Sequence, residues 1–187
     1  MKYIILILIL FGFNIHSKDD DHKHEHEHEH THDENKNNNK VLKPHLHGTS
    51  LVNIVQEKDI LVFSFEMPGF DVVGFEYEAK KKEDVKKVKN ALRILSKHQN
   101  MIVPSIAAAC KLENSKVELL NDKSHSEFIS EYRFKCENIS KIENIRFNFF
   151  RSFKKSENLE INIVTENKKG SISIDKSKID VIVKDYF

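Results

Sequence analysis

The stretch 125–138, His-Ser-Glu-Phe-Ile-Ser-Glu-Tyr-Arg-Phe-Lys-Cys-Glu-Asn, constrains this chain more than any other. Side chains of a β-strand alternate between two faces. Phe128, Tyr132, Phe134 and Cys136 then share one face with the small Ser126 and Ser130, and His125, Glu127, Glu131, Arg133 and Lys135 share the other with Ile129. The first face suits a core. The second begins with an imidazole and a carboxylate two residues apart. Same-face neighbours lie ~6.5–7 Å apart at the backbone, so their side chains can converge on one ion. A half-buried strand with its polar side in water gives the same pattern, so His125 and Glu127 gain weight only from the rest of the chain.

Similar alternation recurs elsewhere. Residues 49–56 and 59–67 read as two strands joined by a tight turn at Glu57-Lys58. In the second, Leu61, Phe63 and Phe65 share a face, and Pro68-Gly69 ends it. Residues 70–79 read as a loop leading into a helix over 82–97, where Val85, Val88, Leu92 and Leu95 recur at helical spacing with Lys and Glu opposite. Glu83 and Asp84 interrupt the lysines of this helix and no aromatic platform accompanies them, so they describe a solvated face.

Residues 110–120 form a strand with one conflict: Leu112 shares the face of Cys110, whereas Val117 and Leu119 share the other. A bulge near Asn114-Ser115 would reconcile them. Asn121-Asp122-Lys123-Ser124 is turn chemistry. The aromatic run 145–153, then 160–166, then 171–175 after a turn at Lys168-Lys169-Gly170, and last 179–184 supply further strands. The expected fold class is mainly β (α+β). It is an antiparallel sheet or sandwich-like domain of about seven to nine strands with one packed amphipathic helix, spanning 45–187.

The start of the chain reads differently. Lys2, the apolar run Ile4-Ile5-Leu6-Ile7-Leu8-Ile9-Leu10-Phe11 and the small Ser17 describe a cleaved secretory leader over 1–17. The run falls short of the ~20 residues a membrane-spanning helix needs, and no cysteine follows it to carry a lipid. Export without a membrane anchor is the expectation. Residues 18–44 form a tract in which His22, His24, His26, His28, His30 and His32 are interleaved with acids, lysine and threonine. Residues 18–40 carry no apolar side chain that could offset ordering entropy, so the tract should be disordered. Imidazoles among carboxylates suit zinc, and nickel or copper as well, because a floppy string of ligands imposes no geometry.

About 145 residues remain after the leader and the tract, enough for one core. A formal net charge of +1 leaves no global field for nucleic acid or a membrane surface. There is no nucleophile elbow, no zinc-protease helix motif and no glycine-rich phosphate loop. A metal-dependent secreted hydrolase built on the same His and Glu residues is the alternative to plain metal binding, and a third reading is an interaction module with an incidental tract. Cys110 and Cys136 lie equally far from Lys123 and could face each other across a hairpin. In an exported chain they most simply form one disulfide, with metal thiolates as the competing reading. Closing that loop would add roughly 3–4 kcal/mol on the chain-entropy account.

Several pieces in order resemble the ZrgA-type family of zinc-regulated periplasmic zinc-binding proteins. They are His45-Leu46-His47-Gly48, Met67-Pro68, Gly74-Phe75-Glu76, Ala108-Ala109-Cys110, His125-Ser126-Glu127-Phe128, Tyr132-Arg133-Phe134-Lys135-Cys136 and Phe149-Phe150-Arg151-Ser152-Phe153. The resemblance implies a non-catalytic periplasmic protein of a Gram-negative bacterium that assists zinc acquisition. Its partners would be zinc ions and a zinc ABC importer with its binding protein, and the chain is expected to be a monomer. The family usually carries His after Gly-Phe-Glu, where this chain has Tyr77. A phenol of pKa ~10 is a poor ligand at neutral pH. The best ligand set on this footing is His45, His47, His125 and Glu127, with Glu76 as a substitute or as an orienting partner.

Free-thiol labelling of the unreduced, denatured protein should give no signal. Labelling at both cysteines would revive the thiolate-ligand reading.

Overall fold

Strand β1, Thr49–Glu57, buries Ser50, Val52, Ile54 and Gln56 and turns its alternate residues outward. It runs into β2, Ile60–Pro68, through a turn in which Lys58 takes φ 54°. The structure is a computed structural model, which describes residues 46–187 except Lys123. The expected leader over 1–17, the His-rich tract over 18–44 and His45 lie outside the described residues. After β2 come helix α1, Gly69–Val73, helix α2, Lys82–Leu95, and the short strand β3, Ile102–Pro104. Strand β4, Cys110–Asn121, returns as β5, Ser126–Cys136. The remaining elements are β6, Asn144–Phe147, α3, Phe149–Ser152, β7, Asn158–Val164, β8, Lys169–Asp175, and β9, Asp180–Ile182.

Among the described residues nine strands form two sheets. The larger runs β4-β5-β2-β1-β7-β8 and the smaller β3-β6-β9. All pairs are antiparallel except β1 with β7, which is parallel. The fold is thus mainly β, as the alternation predicts, and both sheets contribute to one core. Leu61, Phe63 and Phe65 of β2 meet Phe128, Tyr132 and Phe134 of β5, and Ile145, Phe147 and Val181 of the smaller sheet join the same cluster. Phe63 meets Phe134 edge-on at 5.8 Å, and Phe65 meets Tyr132 at 6.2 Å. Each such side chain contributes roughly 1.5–3 kcal/mol by leaving water.

Helix α2 lays Ala91 and Leu95 on this core. Its C-terminal turn is tied down by the Tyr132 hydroxyl, which donates to the Leu95 carbonyl at 2.5 Å. That bond serves one of the carbonyls left without a helical partner. Burial pushes the Tyr132 phenol up to about 12. Among the described residues no helix is long and apolar enough to cross a membrane.

Two segments differ from the sequence expectation. The aromatic run 145–153 is not one strand: the chain leaves β6 at Phe147 and coils into α3. Phe149, Phe150 and Phe153 are all buried. An extended strand would send Phe149 and Phe150 to opposite faces, whereas a helical turn brings all three rings to one side. Residues 70–79 are likewise not all loop. Helix α1 precedes a reversal at Gly74, whose φ of 88° places it in the left-handed region, and its N–H bonds the Gly69 and Phe70 carbonyls.

The register of β4 against β5 shifts between Leu112 and Asn114, which leaves Glu113 as the extra residue. Leu112 opposite Phe134 and Leu119 opposite Phe128 therefore share one face of the sheet, the face change that the alternation required, although Leu112 on this edge strand stays exposed. Cys110 stands directly opposite Cys136 and the two are joined in a disulfide, with Cα atoms 3.8 Å apart.

His98, half-buried just after α2, sets its ring edge-on to Phe134 at 5.0 Å. Its Nδ1 is buried without a hydrogen-bond partner, and burial holds the imidazole below its ordinary pKa. A histidine depressed in the folded state binds protons more readily when unfolded. Its stabilising share is therefore present above the unfolded pKa of ~6.5 and lost as pH falls through the folded value. Urea midpoints should drop between pH 7 and pH 5 more steeply for the wild type than for His98→Gln. Parallel profiles would mean that the ring is solvated.

Candidate metal centre

Strand direction gathers the described donors of the predicted structured site at one end of the larger sheet. Strand β2 lies between β1 and β5 and runs antiparallel to both, so the start of β1, the end of β2 and the start of β5 are neighbours. Pro68 pairs with Glu127, and extending the register of Leu51 with Glu66 by two residues brings Thr49 into the same row. The outer two strands of such a trio are ~9.5 Å apart. Side chains from both, with a loop between them, can reach a common point.

His47 sits in the turn before β1 with its side chain 53% exposed. Its ring stacks on Phe70 of α1, centroids 4.6 Å apart and planes inclined by 14°. Its Nε2 lies 3.2 Å from Glu76 Oε1. The Glu76 side chain is only 12% exposed. It is brought here by the reversal at Gly74 and by the close approach of Gly69 to the chain around it. A Cβ on Gly69 would lie 2.8 Å from the Phe75 carbonyl oxygen and would collide with the Ser126 hydroxyl. Only glycine lets the start of α1 lie this close to both the Phe75 carbonyl and the start of β5.

The start of β5 is itself a fixed turn. Asp122 Oδ1 accepts the Ser124 N–H at 2.9 Å and the His125 N–H at 2.8 Å, and these bonds hold its carboxyl below the usual range. The His125 ring is engaged through Nδ1, 2.8 Å from Ser124 Oγ and 3.7 Å from Asp122 Oδ1. Ligation by this ring would fall to Nε2. Glu127 follows on the face of β5 opposite the buried Ser126 and Phe128.

The structure thus brings His47 and Glu76 together and sets His125 and Glu127 at the neighbouring strand start. Among the described residues no three or more His, Cys, Asp or Glu side chains are gathered so as to hold a metal ion. His45, the remaining donor predicted for the structured site, lies outside those residues, as do the six histidines of the tract. The His47–Glu76 separation of 3.2 Å is that of a direct ion pair, and it also matches the spacing of about 3.4 Å between two donors ~2.1 Å from a tetrahedral zinc.

Two residues of this end, Asp71 and Phe70, escaped the sequence reading, and Asp122 entered it only as part of a turn. Asp71, 1% exposed, accepts the Gly48 N–H at 2.7 Å and the Ser50 hydroxyl at 3.0 Å. Burial raises its pKa, and these two bonds partly offset that. Phe70 stacks on His47, and Asp122 builds the His125 turn. The only sign of Asp71 in the sequence is a lone acid among Phe70, Val72 and Val73. Tyr77 is engaged elsewhere. Its hydroxyl donates to Asp84 of α2 at 3.0 Å, and its ring stacks on Phe75 at 4.5 Å.

The family model described as ZrgA family zinc uptake protein matches residues 44–182 of the chain. No curated protein matches it.

Tyr77→Phe should leave zinc affinity unchanged in a competitive titration. A clear loss would make the phenol a donor despite its bond to Asp84.

Proposed function

The chain belongs to the ZrgA family of zinc uptake proteins, and from that membership we propose that it binds zinc in the periplasm without catalysing a reaction. Zinc is its cargo. The observation that carries the reading is the His47–Glu76 pair, spaced like two ligands of one zinc, beside the strand start that bears His125 and Glu127. This structured site, with His45, His47, His125 and Glu127 as donors and Glu76 as a further donor or orienter, would bind tightly, because ligands already held in place lose little entropy. The histidines of the 18–44 tract would bind several ions weakly and raise their concentration nearby. Delivery to a zinc ABC importer and its binding protein would follow.

Competitive zinc titration of the full-length and tract-deleted chains separates the two kinds of site. The tract-deleted chain should keep one tight component, and His125→Ala in the full chain should abolish that component while leaving the weak one nearly unchanged. Weak binding should fade as pH falls from about 7 to 5, because protons compete for imidazoles of pKa ~6.5. The tight component should persist to lower pH. A His125→Ala chain that retained full tight binding, or lost both components alike, would return His125 to a surface role.

A further inference from the structure

Gly48 is held on both sides of its Cα. Its N–H donates to Asp71 Oδ1 at 2.7 Å, and its carbonyl accepts the N–H groups of Glu157 at 2.7 Å and Asn158 at 2.8 Å. Its φ of 86° lies in the left-handed region, and a Cβ there would make only ordinary contact with Glu157 at 3.6 Å. The requirement for glycine is therefore conformational and not one of space. The second oxygen of Asp71 accepts the Ser50 hydroxyl, which also lies 3.3 Å from the buried Ser156 hydroxyl. A buried carboxylate is costly unless its oxygens find donors. Here they find them in the turn that carries His47 and in the first residues of β1.

Phe70, next to Asp71 on α1, grips the other half of the same turn. Its ring lies almost parallel to the His47 imidazole, and the Lys155 ammonium stands 4.9 Å from its centroid. One short helix thus holds the main chain just after His47 and the face of its ring. The opposite side of the turn is fixed by the backbone at the start of β7.

We infer that Phe70 and Asp71 are positioning residues for His47, Asp71 through the Gly48 N–H and Phe70 through the stacked ring, so that Nε2 is delivered to the Glu76 carboxylate. The inference rests on the zinc-binding reading given above. Residues that orient a metal ligand from outside the coordination sphere typically contribute about 10–100-fold in affinity. Asparagine at position 71 can still accept the Gly48 N–H and can donate its amide to Ser50, whereas alanine can do neither.

The test uses the full chain and two readouts. In the metal-free protein, proton NMR of the His47 ring and hydrogen exchange of the Gly48 amide report the geometry alone. Asp71→Ala should speed Gly48 exchange, and Phe70→Leu should remove the ring-current shift from His47. Competitive zinc titration then reports the consequence. Asp71→Ala should weaken the tight component by about 10–100-fold and Phe70→Leu by a smaller factor, with the weak component unmoved, while Asp71→Asn should stay within about threefold of wild type. The d–d spectrum of cobalt at the tight site should change in Asp71→Ala and be restored in Asp71→Asn. Equal losses in Asp71→Asn and Asp71→Ala would overturn positioning in favour of the carboxylate charge. Tight binding unaltered in both Asp71→Ala and Phe70→Leu, despite altered His47 and Gly48 signals, would overturn the role and leave the zinc-binding reading standing. A wild-type chain without any tight component would overturn that reading and this inference with it.

Discussion

The interlocked aromatic face of β2 and β5 is the constraint on which the rest of the molecule depends. Phe63 lies opposite Tyr132 in the ladder and meets Phe134 edge-on, and Phe65 touches both Tyr132 and Phe149. Because side chains alternate, the pairing that buries these rings also decides which residues face outward. A slip of one residue would expose the rings and bury Glu131, Arg133 and Lys135. The pairing of β5 with β4 closes Cys110 onto Cys136 at one end of β5, and its pairing with β2 brings Glu127 level with Pro68 at the other. Covalent closure and the candidate site are thus opposite ends of a single strand, β5.

At the site end, order is imposed by buried polar groups and close backbone approach rather than by apolar packing alone. Asp71 gives its two oxygens to Gly48 and the start of β1, and Gly69 lets the start of α1 lie against both the Phe75 carbonyl and Ser126. Asp122 builds the turn before β5. Each device fixes main chain next to a histidine or a glutamate. Zinc ligation is sensitive to donor placement at the level of tenths of an ångström, so such supports suit a site that must be held before the ion arrives.

The strands of the central sheet were legible because their signal is local. In 125–136 every second residue is apolar or small, and in 59–67 the same alternation sets Leu61, Phe63 and Phe65 inward. The conflict between Leu112 and Val117 already demanded a bulge, and Glu113 supplies it. Where two aromatic residues are adjacent, as at Phe149-Phe150, period two no longer decides. Burying both rings needed a helical turn that only the surrounding core could select. Asp71 was illegible for a related reason. A single acid between apolar residues reads as an exposed interruption, and its burial depends on donors from Gly48 and Ser50, more than twenty residues earlier.

By itself the sequence determined which residues of the alternating strands face inward, the placement of its two cysteines about one hairpin turn, and the residue types available to a metal. Each of these follows from spacing along the chain or from composition. Tertiary structure decided the parallel pairing of β1 with β7, the contact of His47 with Glu76 and the burial of Asp71. These depend on which strand ends abut after segments far apart in the chain have paired. Periodicity states which face a residue takes, whereas long-range register alone states what stands opposite it.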